Sequence, residues 1–215
     1  MTTYSTITVK PIASSLGAEV TGVDLSQPLD DATLTEIKSA WLEQQVLFFR
    51  DQNLEPDAQK RFGEYFGELR NEFMLFGGAP EDIDPYVLTT ENGKTPYAPR
   101  TEVLHIDHSY ADIPNKATIL QALVCPEAGG DTIWVSGYAA YDALSPAMQT
   151  FVEGLTGYFP PMDHDRIHKI VTLGPDAMPP LKVRAVAAEH PLVFTPPESG
   201  RYAWCLDFLR MWSVL

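Results

Sequence analysis

Cysteine is nearly absent from this sequence. Cys125 and Cys205 stand alone and far apart, so no disulfide framework supports the fold, and a reducing cytoplasm is the expected location. Positive charge is scarce as well: 15 Lys and Arg face 29 Asp and Glu, a formal net charge of −14. A phosphate backbone requires a clustered Lys/Arg footprint, and scattered cations in an acidic chain argue against a nucleic-acid partner. Long apolar runs are missing too. The densest, Val46–Phe49, is strand-sized, so no membrane partner or membrane span is expected. Met1–Lys10 alternates Thr with apolar residues and lacks the basic start and apolar run of a signal peptide. What remains is a polypeptide of 215 residues, enough for one substantial core, without repeats or low-complexity tracts, and the expectation is a single domain over 1–215.

Local patterns supply the elements. Ile7–Ile12 alternates like a strand, and Gly17–Asp24 follows as a second with glycines at its bends. Asp30 can cap a helix whose Leu34, Ile37 and Trp41 recur at helical spacing, and Val46–Phe49 is expected as a buried strand. Pro56 suits the first turn of a helix with the apolar stripe Ala58, Phe62, Tyr65, Phe66 and Leu69. Periodicity then fades. Residues 70–104 are interrupted by Gly77-Gly78, Pro80, Pro85, Pro96 and Pro99, which suits a lid or substrate loop. Ala117–Cys125 and Thr132–Val135 read as strands, Tyr138–Leu144 as helical turns, and Ser145-Pro146 as the start of a helix burying Met148, Phe151, Val152 and Leu155. His190–Thr195 returns to strand. Short strands with helices near the start and middle predict a mainly β fold, a jelly roll with helical insertions.

Histidine is sparse, and one of the five residues has chemical company. In an extended segment residues i and i+2 share a side, so His105 and Asp107 can converge on one ion while Ile106 faces away. This is two-thirds of the 2-His-1-carboxylate face that leaves positions open on non-haem Fe(II). Chance alone supplies an HxD triplet in about a third of chains of this composition, so context must carry the assignment. That context is the turn-like Tyr110–Pro114, the strand-like Ala117–Cys125, and then Gly129-Gly130-Asp131-Thr132, where glycines permit close backbone approach and the Thr132 hydroxyl can reach a bound carboxylate.

Ile12–Leu29, Val46–Gln52, Phe62–Leu69, the HID triplet at His105 and above all Glu127–Ser145 resemble the taurine dioxygenase (TauD/TfdA) family of Fe(II)- and 2-oxoglutarate-dependent oxygenases, over most of residues 7–203. The resemblance implies a double-stranded β-helix with His105 and Asp107 as iron ligands and catalytic residues, and Thr132 on the 2-oxoglutarate carboxylate; O2 would be the second cosubstrate. The His190-Pro191 pair with Pro197–Arg201 matches a family segment in which the histidine is structural rather than a ligand. A small-molecule substrate would lie against the 70–104 loop, with Asn71, Phe73 and Tyr97, joined by Met74 and Phe76, as candidates to line it. Family members that take taurine use a histidine ahead of the HxD triplet, and no histidine precedes His105 here, which favours another sulfonate, a sulfate ester or a small organic acid.

The match is expected to stop after Ala203. The family continues with a closing region carrying the third ligand, a distal His, and an Arg for the far carboxylate of 2-oxoglutarate, whereas Trp204–Leu215 has neither pattern, so a C-terminally incomplete jelly roll is expected from truncation or a frame shift. His108 would face away from His105 and Asp107 if the strand persisted, and His164 with His168 at helical spacing, or Arg184, Arg201 and Arg210, offer no clear replacement. The alternatives are a non-catalytic remnant of such an oxygenase, a zinc hydrolase on a β fold, which would turn over without 2-oxoglutarate, and a metal-free β binding module. A homo-oligomer is compatible with all of them.

Overall fold

The computed structural model describes residues 2–69, 104–129, 131–159, 188–205 and 213–214. Three small sheets organise these residues: β1 (Thr8–Pro11), β2 (Ala18–Thr21) and β3 (Leu47–Phe49) in the order β1-β2-β3; β4 (Thr156–Phe159), β5 (Ala188–Pro191) and β8 (Ser213–Val214) in the order β5-β4-β8; and β6 (Val193–Phe194) with β7 (Ala203–Trp204). The chain divides into two compact units, one comprising Met1–Leu69, Ile119–Ala143 and Thr195–Ala203, the other Arg70–Thr118, Leu144–Phe194 and Trp204–Leu215.

In the first unit β1 pairs antiparallel with β2, Val9 opposite Val20, and β2 pairs parallel with β3, Glu19 opposite Phe48. A parallel pair requires a crossover, and α1 (Asp31–Gln44) lies in that connection. The Asp30 carboxylate accepts the Thr33 N–H at 2.7 Å and thereby satisfies one of the orphan donors of the first turn. At the other end Gln45 takes φ 66° and donates its N–H to the Trp41 carbonyl, so the chain reverses directly into β3. Ile37 and Ala40 of α1 are fully buried with Ile7, Val20, Leu25 and Phe62. Pro56 occupies the first turn of α2 (Pro56–Glu64), where its missing N–H costs nothing, and Phe62 on this helix meets Phe49 and Phe66 edge-on, with ring centroids 5.7 and 5.3 Å apart. Tyr65, Phe66 and Leu69 fall past the end of α2, although Tyr65 and Phe66 still pack on this core.

Glu36, on α1, ties down the segment leading into β1. Its two carboxylate oxygens accept the backbone N–H groups of Ser5 and Thr6 at 2.7 and 2.9 Å and their hydroxyls at 2.6 and 2.8 Å, and the Ile7 N–H adds a longer bond of 3.2 Å. Hydrogen bonds from Ser5 and then from Thr6 favour the charged form and lower its pKa from 4.5 to about 2.

In the second unit β4 pairs with β5 and with β8, both antiparallel, and Gly157 sits opposite His190. A Cβ on Gly157 would come within 2.8 Å of the Phe159 ring and 2.9 Å of Leu192, so glycine is what lets the fully buried Phe159 fold back against its own strand. Ser145 caps α4 (Pro146–Glu153) through the Met148 N–H at 3.3 Å.

Three expectations need correction. Ala117–Cys125 and Thr132–Val135 lie in no strand, and Leu120, Leu123, Val124, Ile133 and Val135 are exposed; β-branched and aromatic content makes a strand only where a ladder partner is available. His105–Asp107 is likewise not a strand: the segment enters a turn at Asp107, and His108 adopts φ 56°. On α4 only Val152 is buried, while Met148 and Phe151 face solvent. The 70–104 loop lies outside the described residues apart from Leu104. No helix among the described residues is long and apolar enough to cross a membrane.

Candidate metal centre

A turn, rather than strand alternation, brings the two predicted ligands together. Residues 104–106 run irregularly into the turn 107–110, where the Ser109 N–H reaches the Ile106 carbonyl at 3.4 Å and the Ala111 N–H reaches the His108 carbonyl at 2.9 Å. His108, Ser109 and Tyr110 point inward and are buried, which seats the turn and leaves the residues before them at the surface. His105 Nε2 and Asp107 Oδ1 then lie 3.3 Å apart, with side chains 38% and 43% exposed, close enough to share one small ligand and open enough to admit it. On the other carboxylate oxygen, the Thr118 hydroxyl donates to Asp107 Oδ2 at 2.7 Å.

The exit of the turn is fastened to β5. His190 Nε2 lies 2.9 Å from the Ala111 carbonyl oxygen; a carbonyl can only accept, so this nitrogen carries the proton and is a donor rather than a metal ligand in this arrangement. The His190 ring also lies against Phe159 at 5.6 Å between centroids. Both contacts give His190 the structural place that the resemblance assigned to it.

Of the other residues singled out in the sequence, Thr132 and Arg201 are described, both in the first unit. Thr132 belongs to the first unit and is exposed, preceded by Gly129 at φ 77° with open space where a Cβ would stand. Arg201 leans over the Tyr138 ring with 4.3 Å to its centroid and reaches Asp142 at 3.3 Å, an exposed and partnered surface cation. Asn71, Phe73, Met74, Phe76, Tyr97, His164, His168, Arg184 and Arg210 lie outside the described residues. Among the described residues no group of three His, Cys, Asp or Glu side chains gathers that could hold a metal. The donor chemistry of the pair nevertheless fits Fe(II): an imidazole nitrogen and a carboxylate oxygen meeting at a solvent-open point are two of the three protein donors of a facial site. Sequence reasoning missed Thr118. It lies 11 residues from Asp107 inside a segment expected as a strand, and no spacing rule connects a hydroxyl to a carboxylate at that distance along the chain.

Comparison with known proteins finds relatives along most of the chain. The profile described as "Taurine catabolism dioxygenase TauD, TfdA family" matches residues 8–211, running past Ala203, where the resemblance had been expected to stop. An alkylsulfatase from Acinetobacter baylyi is 31% identical over 90% of this chain and 60% of its own length. An alpha-ketoglutarate-dependent sulfate ester dioxygenase from Pseudomonas putida is 31% identical over 91% of this chain and 64% of its own. Among solved structures, a taurine dioxygenase from Burkholderia xenovorans superimposes with a TM-score of 0.74 at 29% identity, covering 98% of this chain and 66% of that one. The chain thus spans less than two thirds of the length of these relatives. With a family profile matched over nearly all of its residues, the chain belongs to the TauD/TfdA dioxygenase family.

Proposed function

We propose that the protein is an Fe(II)- and 2-oxoglutarate-dependent dioxygenase acting on a small organic acid, sulfonate or sulfate ester in the cytoplasm, on a single jelly-roll domain. The observation that carries this is the convergence of His105 Nε2 and Asp107 Oδ1 at 3.3 Å in a chain of this family. His105 contributes a neutral imidazole lone pair, and Asp107 contributes a negative charge that offsets part of the ion's positive charge; the surrounding turn keeps both at the surface of the unit, where solutes reach them. When bound, Fe(II) together with 2-oxoglutarate and O2 supplies the oxidation, one oxygen atom entering the substrate and the other appearing in succinate as CO2 leaves. Thr132 is assigned to the 2-oxoglutarate carboxylate, which its exposed hydroxyl can engage. Asn71, Phe73 and Tyr97 are assigned to the substrate on their sequence positions. The sulfate ester activity named for the Pseudomonas putida relative makes a sulfate ester the first substrate class to try.

The test is O2 uptake and succinate formation with alkyl sulfate esters, sulfonates and aryloxyalkanoates, with and without 2-oxoglutarate. The expected result is turnover that requires 2-oxoglutarate and Fe(II) and is abolished in His105→Ala and Asp107→Ala. Turnover that persists without 2-oxoglutarate, or that follows added zinc, would instead favour the hydrolase.

A further inference from the structure

We infer that Thr118 is a positioning residue that makes Asp107 a one-oxygen metal ligand through Oδ1. The inference rests on the assignment of His105 and Asp107 as ligands and adds a residue to which the sequence pattern did not point. Asp107 has two chemically equivalent oxygens on an exposed side chain, and a free carboxylate in that position would rotate and offer either one, or both, to a cation. Thr118 breaks the equivalence. Its hydroxyl donates to Oδ2 at 2.7 Å, a charge-assisted length, while Oδ1 is the oxygen that faces His105 Nε2 at 3.3 Å. Because Thr is branched at Cβ, few χ1 positions are open to it, so its Oγ1 is held more firmly than a longer donor would be. The hydroxyl has only one proton to give, and its short bond to Oδ2 disfavours a second, metal-directed use of that oxygen. The carboxylate plane is thereby set before the ion arrives, and the ordering cost of binding falls.

The experiment measures Mn(II) affinity of the 215-residue chain by electron paramagnetic resonance, with the metal alone as probe and the urea midpoint as a control on folding. Thr118→Val keeps the shape and removes the donor; it is expected to weaken Mn(II) binding by about 10-fold, the lower end of what outer contacts to metal ligands contribute. Thr118→Ser restores the hydroxyl and is expected to bind like the parent, and all urea midpoints should coincide because residue 118 is exposed. Parent-like Mn(II) binding by Thr118→Val, with His105→Ala and Asp107→Ala both impaired, would overturn the inference and leave the ligand assignment standing. Equal binding by all five proteins, or none by the parent, would overturn the assignment and the inference with it. Should Thr118→Val shift the urea midpoint, Thr118→Ala provides the same comparison without a second methyl group.

Discussion

Two stretches of this protein have strand-like sequence and opposite fates. Ile7–Ile12 and Gly17–Asp24 become β1 and β2, zipped to each other with β2 also paired to β3, and they bury Ile7 and Val20 against α1. Ala117–Cys125 and Thr132–Val135, richer in Leu, Ile and Val, join no ladder. Among the described residues they are tied by isolated contacts rather than a ladder: the Thr118 hydroxyl donates to Asp107, the Ile119 carbonyl accepts from Gln59 at 3.3 Å, Trp134 meets Phe48 edge-on at 5.3 Å, and just beyond them Ser136 accepts the Ala139 N–H at 3.1 Å to cap α3 (Gly137–Asp142). Between those ties Leu120, Leu123, Val124 and Ile133 are exposed, Val124 to 90%. Apolar content, then, does not decide burial. What separates the two stretches is a helix laid across one of them and a neighbouring strand in register, neither of which a residue's own propensity supplies.

The largest effect should follow from opening the packed stretch. Phe62 is buried against Phe49, Phe66 and the α1 face, and its truncation leaves a void that rigid neighbours cannot fill. Phe62→Ala is expected to lower unfolding stability by about 3–5 kcal/mol, measured by urea denaturation. A loss below about 1 kcal/mol would mean that this core is as loosely held as the 117–135 segment, and the comparison would fail.

Legibility in the sequence followed the same division. Asp30, the helical spacing of Leu34, Ile37 and Trp41, and Pro56 announce α1 and α2 because caps and periodicity are local properties of the chain. The Ser145-Pro146 helix start was equally plain, but which of its side chains would be covered was not, since burial of Met148 and Phe151 depends on what lies opposite them. At the site the pair itself was visible as HxD, while its geometry was not. Alternation was expected to align His105 and Asp107, and a turn with His108 at φ 56° does so instead. The Thr118 and His190 contacts were out of reach, because each joins residues that only tertiary structure brings near.

A smaller effect is expected at the start of the packed stretch, where Glu36 holds Ser5, Thr6 and Ile7. Its folded pKa, about 2, lies below its ordinary 4.5, so its contribution to stability is fully present above pH 4.5 and is lost as the pH falls toward 2. Amide exchange at Ser5, Thr6 and Ile7 should therefore accelerate, relative to amides of β2, as the pH drops through that window. Glu36→Gln keeps an accepting oxygen but has no charge to lose, and it should show weaker protection throughout with a flat pH response. Protection that is the same at pH 5 and pH 2 in the unaltered protein would place the anchor of this segment elsewhere.

The smallest effect on stability should come from the unpaired stretch, and it tests the comparison from the other side. Val124 and Ile133 are 90% and 76% exposed, so replacing a methyl by a hydroxyl in Val124→Thr, or the ethyl arm by a hydroxyl in Ile133→Thr, removes almost no buried contact. The unfolding free energy measured in urea should move by no more than about 0.5 kcal/mol for either variant. Solubility should move more, because exposed apolar segments with strand propensity and no ladder partner are sites where chains can pair with one another, and a polar substitution there interrupts the pairing. Light scattering of concentrated samples is expected to show slower association for the double variant than for the parent. A destabilisation above about 1 kcal/mol would show these side chains to be packed after all, and the distinction between the two stretches would then reduce to hydrogen bonding alone.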